Sequence, residues 1–282
     1  MDEITILANA KINLALAVKY RRADGFHELE SIFQEIDFAD RLRIRKSEGI
    51  RFRSNLDFLD RDPTNLCTAA ARMIMETFNI SGLEIELDKR IPAGAGLGGG
   101  SSDAAAVLKA AVQLFGLPNT IEDLHPLAER LGSDVPFFLT GGTAWVTGRG
   151  EIIKSFATRA EYHLLLVLPD IRISTAWAYK NLNLDLTKKG HEYKFRGFEF
   201  HEIAVTDFRK SYFNDFEESV FSVHPALRDI KQKLYDAGAD FAAMSGSGST
   251  MFGVFESGSR ARKAGEKLGS VYEVRIVRPV LA

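Results

Sequence analysis

The sequence predicts an α+β protein in which mixed and antiparallel sheets are covered by helices. From residue 12 to residue 18, apolar side chains occupy every second position, which is typical of a strand with one buried face, and Lys11 and Asn13 share the other face. Residues 64–78 instead repeat apolar side chains at helical spacing. Helical and strand patterns alternate between residues 225 and 277, which indicates a C-terminal α/β sandwich.

The remaining elements follow in order along the chain. Strands are expected at residues 30–38, 42–46 and 50–53, the last two joined by a turn, so that an early antiparallel sheet forms. Thr64 is the expected N-cap of the first helix. The later predictions are a strand at 83–87, helices at 104–115 and 120–131, strands at 143–147 and 162–168, a loop or lid-like insertion at 188–202, a helix at 225–237, strands at 241–244 and 251–255, a helix at 259–268 and a strand at 272–277.

The composition favours a globular protein without a broad basic surface. The 282 residues, 45% of them hydrophobic, suffice for one large domain or two of ordinary size. Lys and Arg number 36 against 38 Asp and Glu, which disfavours a nucleic-acid or membrane-surface partner. The single cysteine excludes an intrachain disulfide and a Cys-rich zinc site. We expect a soluble, cytoplasmic protein with no obligate protein partner.

The stretch at residues 92–104 predicts a phosphate-binding loop. Five glycines lead into two hydroxyls and a carboxylate at the start of an alanine-rich helix. Glycine permits positive φ and close approach of the backbone, and the first helical turn presents unpaired N–H groups at the positive end of its dipole. Capping alone would also explain Ser101, Ser102 and Asp103. The residues expected to bind the nucleotide here are Pro92, Gly94, Gly96, Leu97, Gly98, Gly99, Gly100, Ser101, Ser102 and Asp103.

Other nucleotide sites fit this loop less well. Residues 94–99 satisfy the pattern G-x-G-x-x-G, but a dinucleotide site also needs an acidic residue about 20 positions further on, at the end of a second strand. Residues 116–120 occupy that window and form a turn and a helix cap. A P-loop would need Gly-Lys-Ser or Gly-Lys-Thr, and a protein kinase would need His-Arg-Asp and Asp-Phe-Gly; the sequence contains none of these.

Three stretches resemble, in the expected order, the motifs of the galactokinase, homoserine kinase, mevalonate kinase and phosphomevalonate kinase superfamily. They are residues 10–14, 92–106 and 244–252. The resemblance implies a two-lobed α+β fold, with ATP in the N-terminal lobe and a substrate cleft between the lobes. A change of sequence pattern near residues 155–160 sets the expected boundary, which gives lobes at 1–157 and 158–282. It also implies ATP and Mg²⁺ as cofactors, the Mg²⁺ held largely by phosphates and water, without a firm protein ligand.

Two further stretches narrow the resemblance. Residues 22–29, Arg-Ala-Asp-Gly-Phe-His-Glu-Leu, and residues 132–138, Gly-Ser-Asp-Val-Pro-Phe-Phe, resemble the members that phosphorylate the 2-hydroxyl of a cytidine-diphosphate-linked methylerythritol in non-mevalonate isoprenoid synthesis. Mevalonate or homoserine as the acceptor remains an alternative, against which the Asp-Gly-Phe-His stretch argues. A catalytically silent nucleotide-binding protein is a second alternative. The retention of Lys11 and Asp134 argues against it. A dehydrogenase would bind NAD and would not turn over ATP.

The resemblance assigns roles to individual residues. Asp134 is the expected base or orienting carboxylate, and Lys11 beside it would keep it ionised and neutralise charge on the γ-phosphate. Taken alone, Asp134 would more simply be a loop carboxylate, and Lys11 would more simply be a solvated lysine on a strand. Phe26 and Tyr179 would stack on cytosine and His27 would read the base edge. Phe26 stands where the superfamily members usually have tyrosine, so the ring face is kept and the hydroxyl is lost.

Six further residues match superfamily positions, although each also has an ordinary structural explanation. The expected polyol or phosphate contacts are Asn13 and Thr175, the positions near adenine are Asn65 and Lys89, and the residues closing the far side of the active site are Ser247 and Gly248.

Overall fold

A computed structural model of the protein describes residues 2–118, 120–158, 160–182, 208–209 and 212–281. Its strands are β1 (Glu3–Arg21), β2 (His27–Ser47), β3 (Arg51–Ser54), β4 (Gly82–Asp88), β5 (Thr143–Gly148), β6 (Ile152–Ser155), β7 (His163–Leu168), β8 (Phe241–Met244), β9 (Met251–Phe255) and β10 (Glu273–Val277). Its helices are α1 (Asp57–Asp60), α2 (Leu66–Phe78), α3 (Gly99–Phe115), α4 (Ile121–Leu131), α5 (Phe137–Thr140), α6 (Thr175–Lys180), α7 (Phe216–Val223), α8 (Pro225–Asp236) and α9 (Gly258–Leu268). The loop predicted at 188–202 lies outside the described residues.

Internal contacts divide the chain into two compact units. The first contains Met1–Ala10, Phe38–Ala93 and Gly98–Thr140, and the second contains Lys11–Asp37, Gly94–Leu97 and Gly141–Ala282. The chain therefore passes between the units several times. These units are not the two lobes expected at 1–157 and 158–282, and that lobe boundary stays a prediction.

In the first unit, β4 is the central partner of two strands. It pairs antiparallel with residues 41–47 of β2 and parallel with β3. The predicted antiparallel pairing of residues 50–53 with 42–46 is therefore wrong. This end of β2 already has β4 on one edge and β1 on the other, where the N–H of Lys46 donates to the carbonyl of Asp2. The following strand consequently pairs with the free edge of β4.

In the first unit, the start of α2 and the end of α3 are set by capping residues. Asn65 is the N-cap of α2, since its Oδ1 accepts a 2.8 Å hydrogen bond from the N–H of Cys67. The prediction of Thr64 as the cap is wrong, because Thr64 hydrogen bonds to Asp62 instead. The end of α3 at Gly116 is confirmed, and this residue has φ +62°.

In the second unit, the strand order β10-β7-β9-β8 forms an antiparallel sheet. The prediction that residues 162–168 form a central strand is confirmed, because β7 has a partner on each edge. α8 and α9 contribute Leu227, Ile230 and Ala261 to a core that also contains Leu165 and Val167 of β7. In the same unit, β5 pairs with residues 29–34 of β2 and with β6.

The first two strands are longer than predicted. Residues 30–38 and 42–46 form one continuous strand, β2. β1 is buried on both faces where one was expected, and Lys11 and Asn13 are only 3% and 2% exposed. The reason is that the Lys11 side chain donates to that of Asn13, which in turn donates to Ser31 on β2, while the turn before β9 covers the backbone of Asn13. No helix in the described part of the chain is long and apolar enough to span a membrane.

Candidate active site

The glycine-rich loop adopts the backbone conformation that its sequence demands. Gly94, Gly96 and Gly98 have φ values of +69°, +79° and +69°, in the left-handed region that disfavours other residues. Gly98 is the N-cap of α3, and its carbonyl accepts from the N–H of Ser102 at 2.9 Å. The chain thus turns repeatedly and then starts a helix, as a phosphate-binding loop requires.

Within the second unit, residues 94–97 are hydrogen bonded to both of the other motifs. Three consecutive carbonyls accept hydrogen bonds, that of Ala95 from the Thr250 N–H at 3.2 Å, that of Gly96 from the Ser245 hydroxyl at 2.8 Å, and that of Leu97 from the Lys11 N–H at 2.9 Å. The three motifs singled out in the sequence are therefore in direct contact here.

The absence of side chains makes this contact possible. A Cβ added to Gly96 would lie 2.1 Å from the carbonyl oxygen of Ser245, and one added to Gly246 would lie 3.3 Å from the Cα of Gly96. Both glycines also have positive φ. The two glycine segments accordingly approach backbone to backbone, which larger residues would prevent.

Lys11 belongs to a buried polar network on β1 and β2. Its ammonium donates to Asn13 Oδ1 at 2.7 Å and lies 4.3 Å from the ring centroid of Phe33. The amide of Asn13 in turn donates to the hydroxyl of Ser31 at 2.9 Å, and its backbone N–H donates to that of Ser245 at 3.3 Å. These contacts hold the ammonium and the amide in fixed positions, and the backbone of Lys11 is hydrogen bonded to Leu97.

Sequence reasoning missed three members of this network. Ser31 and Phe33 lie on β2 and belong to none of the recognised motifs, so their contact with β1 gave no local signal. Ser245 lies inside the recognised stretch 244–252 but was not singled out. Its position directly before the glycine turn was the available clue.

The predicted cytosine-binding residues lie in the second unit. Phe26 follows the turn between β1 and β2, where its N–H donates to Asp24 Oδ1 at 3.1 Å and Gly25 has φ +86°. The Phe26 side chain is 53% exposed, and the guanidinium of Arg149 lies 4.7 Å from its ring centroid. One ring face is thus covered by a cation that sequence reasoning did not identify.

His27 and Tyr179 are brought together directly. Their rings are stacked, with centroids 5.0 Å apart and planes inclined by 19°, and Tyr179 also packs edge-on against Phe216. Partial burial, with a smaller contribution from the charge of Arg21, lowers the pKa of His27 below its usual value. The imidazole is therefore neutral at physiological pH and offers one donor and one acceptor.

Thr175 and Ser247 also meet, with their hydroxyl oxygens 3.1 Å apart. Thr175 is the first residue of α6, and Ser247 lies in the turn between β8 and β9. Asn214 fixes that turn, since its amide donates to the carbonyls of Met244 and Gly246 at 2.7 and 2.8 Å. Gly248 has φ +94°, and an added Cβ would lie 2.8 Å from the sulfur of Met244, so the turn requires glycine.

In the first unit, Lys89 and Asp103 belong to a buried cluster of charges. The Lys89 ammonium donates to Asp103 Oδ2 at 2.7 Å and to Asp40, and all three side chains are almost fully buried. Burial raises the pKa of Asp103 to about 7, opposed by the attraction of Lys89. For Lys89, burial lowers the pKa, but the two carboxylates outweigh this effect and raise it above its usual value.

Asn65, Ser102 and Asp134 also lie in the first unit. Asn65 and Ser102 are buried at the starts of α2 and α3, where Asn65 acts as a cap. Asp134 lies in the turn between α4 and α5 and is partly buried. The N–H of Val135 closes this turn by donating to the carbonyl of Gly132 at 3.1 Å.

The described residues contain no group of three or more His, Cys, Asp or Glu side chains that could hold a metal ion. Mg²⁺ often keeps several waters and binds through substrate phosphates with few protein ligands. The hydroxyls of Ser101 and Ser102 at the start of α3 are compatible with such an ion arriving with a nucleotide.

Comparison with known proteins defines the class. Residues 65–142 match the family model of the GHMP kinases N terminal domain, and residues 201–274 match that of the GHMP kinases C terminal domain. A crystal structure of homoserine kinase from Cytophaga hutchinsonii shares this fold, with a TM-score of 0.75 and 22% identity over 99% of this chain and 95% of that one. The protein is a GHMP kinase, an ATP-using small-molecule kinase, which confirms the predicted α+β fold and enzyme class.

Relatives with higher identity define the family within this class. The 4-diphosphocytidyl-2-C-methyl-D-erythritol kinase of Chlorobium luteolum is 39% identical over 281 residues, 99% of this chain and 98% of that protein. Its counterpart in Thermodesulfovibrio yellowstonii is 39% identical over 283 residues, with the same coverage. A crystal structure of 4-(cytidine 5'-diphospho)-2C-methyl-D-erythritol kinase has a TM-score of 0.81 at 34% identity, covering 99% of this chain and 100% of that one. The chain belongs to the 4-diphosphocytidyl-2-C-methyl-D-erythritol kinase family.

Proposed function

We propose that this kinase transfers the γ-phosphate of ATP to the 2-hydroxyl of 4-diphosphocytidyl-2-C-methyl-D-erythritol. The observation that carries the proposal is the hydrogen bonding of residues 94–97 to Lys11 and to the turn before β9. It joins the backbone of the proposed phosphate-binding loop to the backbone of Lys11, a residue of the same unit whose side chain is buried. Phosphoryl transfer depends on such positioning and on stabilisation of the charge that develops on the phosphate oxygens.

In this proposal Lys11 neutralises charge on the phosphate or on the acceptor oxygen. Asn13 and Phe33 hold its ammonium, so little reorganisation would be needed during the reaction. Asp134 accepts the proton of the 2-hydroxyl or orients it. The assignment of Asp134 is supported by its place in the matching Gly-Ser-Asp-Val-Pro stretch.

Cytosine recognition is assigned to Phe26, His27 and Tyr179. The exposed ring of Phe26 offers a stacking surface opposite Arg149, and the neutral imidazole of His27 suits the donors and acceptors on the base edge. Because His27 now covers one face of Tyr179, stacking of the base on that face requires the imidazole to turn away. Thr175 and Ser247 would bind the polyol or its phosphates.

The phosphate-binding loop is proposed to hold the ATP phosphates, with Mg²⁺ coordinated mainly by those phosphates and by water. Asn65 and Lys89 are assigned to the region near adenine, and Gly248 shapes the turn that carries Ser247. We also propose a cytoplasmic location, since a single buried cysteine suits a reducing compartment.

An ADP-release assay with three acceptors tests the substrate. The wild-type protein is incubated with ATP, Mg²⁺ and either 4-diphosphocytidyl-2-C-methyl-D-erythritol, mevalonate or homoserine. Activity with the first alone supports the proposal, and activity only with another acceptor overturns it. His27→Phe is the matched variant for base recognition, because it keeps the ring face but removes the hydrogen-bonding nitrogens. It should raise KM for the acceptor and leave KM for ATP unchanged.

A further inference from the structure

Asp40 is a completely buried carboxylate to which no sequence motif assigned a role. It lies on β2, and its Oδ1 accepts hydrogen bonds from the backbone N–H groups of Arg90 and Ile91 at 2.5 and 2.8 Å. These two residues directly precede Pro92, the first residue of the phosphate-binding loop. One oxygen of Asp40 therefore fixes the backbone where the chain enters the loop.

The other oxygen of Asp40 is linked to the end of the loop. It accepts from the ammonium of Lys89, which also donates to Asp103 Oδ2 on α3 at 2.7 Å. The first residue of α3 packs against the same ammonium, since a Cβ added to Gly99 would lie 2.8 Å from its nitrogen. Through Lys89, Asp40 is therefore joined to the helix start at which the chain leaves the loop.

Stability alone does not explain such a cluster. Once Asp103 is ionised, above its pKa of about 7, two carboxylates and one ammonium leave a net negative charge inside the first unit, and the cost of desolvating buried charges often offsets their mutual attraction. A net negative charge would also disfavour nearby phosphates unless the cluster improved the geometry of their site. Its value accordingly lies in holding the two ends of the loop at a fixed separation.

We propose that Asp40 is a positioning residue for the phosphate-binding loop, acting through Lys89 on Asp103 and directly on the N–H groups of Arg90 and Ile91. The proposal rests on the assignment of residues 92–103 to phosphate binding in the proposed function. Asp40 itself does not touch the nucleotide. It acts on the phosphates through the loop. Lys89, which the proposed function assigns to the region near adenine, keeps its hydrogen bond to Asp103 when Asp40 loses its charge, so the contact with adenine is unaffected.

Asp40→Asn tests the proposal because it keeps an acceptor for the backbone N–H groups and removes the charge facing Lys89. The dissociation constant of ATP is measured by titration calorimetry, and that of adenosine by competitive inhibition. We expect ATP to bind about tenfold or more weakly, the usual scale for losing a charged hydrogen bond, and adenosine to bind unchanged. KM for ATP should rise in parallel, while kcat and KM for the acceptor change by less than about threefold.

Asp88→Asn is the matched control. Asp88 is a half-exposed carboxylate that pairs with Arg90 at 2.7 Å, outside the cluster, so ATP binding should remain unchanged in this variant. Should Asp40→Asn fail to fold, Asp40→Glu keeps the charge but displaces the carboxylate from Lys89 and from the N–H groups of Arg90 and Ile91, and it should show the same selective loss of ATP affinity.

The results separate failure of the inference from failure of the proposed function. A wild-type protein that binds no ATP refutes the function. A wild-type protein that binds ATP, with Asp40→Asn binding it equally tightly, overturns the positioning role. Equal weakening of ATP and adenosine also overturns it, because the cluster would then act on the base.

Discussion

Substitution of Gly96 by alanine tests the close contact between the phosphate-binding loop and the turn before β9. An added Cβ would lie 2.1 Å from the carbonyl oxygen of Ser245, in a backbone with φ +79°. Gly94, two residues earlier, has φ +69°, but an added Cβ would find nothing within 4 Å. Gly94→Ala therefore measures the conformational cost alone, and Gly96→Ala measures that cost together with the steric one.

The expected difference follows from the contacts of residues 94–97. A left-handed backbone costs alanine about 1–2 kcal/mol, which is the whole effect expected for Gly94→Ala. In Gly96→Ala the loop must also move away from Ser245, which weakens three hydrogen bonds worth about 1 kcal/mol each. Gly96→Ala should therefore cost about 3 kcal/mol more than Gly94→Ala in the free energy of unfolding.

Urea unfolding and steady-state kinetics would measure both effects. If the same contacts shape the ATP site, kcat/KM for ATP should fall about 100-fold further in Gly96→Ala than in Gly94→Ala. Equal losses of stability and of kcat/KM in the two variants would show that the contact with Ser245 does not shape the loop.

Three more predictions concern the remaining site residues. Asp134→Asn should lower kcat about 10²- to 10⁴-fold, the range for a lost general base, with ATP binding unchanged in a calorimetric titration; undiminished turnover would remove Asp134 from the mechanism. Gly98→Val should weaken ATP binding, because a β-branched residue is strained at φ +69° at the start of α3, and unaltered affinity would count against the loop as the phosphate site. The pKa of Asp103, raised by burial to about 7, adds stability that is fully present below about pH 4 and is lost as the pH rises through 7. Asp103→Asn abolishes this titration, so its free energy of unfolding relative to wild type should increase by up to about 4 kcal/mol between pH 4 and pH 8 in urea melts; a difference independent of pH would refute the raised pKa.

Features governed by local rules could be predicted from the sequence. The glycines of the loop, the end of α3 at Gly116 and the presence of a strand at residues 12–18 each depend on residues a few positions apart, although the burial of both faces of that strand does not. The motifs also identified the kinase class, because their order along the chain is informative in itself. The catalytic and binding roles assigned to single residues stay predictions that the variants above will test.

The features that could not be predicted depend on distant partners. β3 pairs with β4 because the edges of β2 are already occupied, which no local pattern encodes. Asp40 meets Lys89 across 49 positions of the chain. The sequence did hold a clue, since Asp40 occupies one of the alternate positions of β2 that are buried, as Leu42 and Ile44 do. A charge at such a position needs a buried partner, but the sequence does not say which.

The hydroxyl of Ser245 has a consequence for how the enzyme is made. It donates to Gly96, 149 positions earlier, and accepts from the N–H of Asn13, 232 positions earlier. During synthesis, the segment containing Gly96 leaves the ribosome long before the residues that hydrogen bond to it. A nascent chain that ends before Ser245 has no donor for the carbonyls of Ala95 and Gly96. The hydrogen bonds that hold this part of the loop can therefore form only after Ser245 and Thr250 have been synthesised.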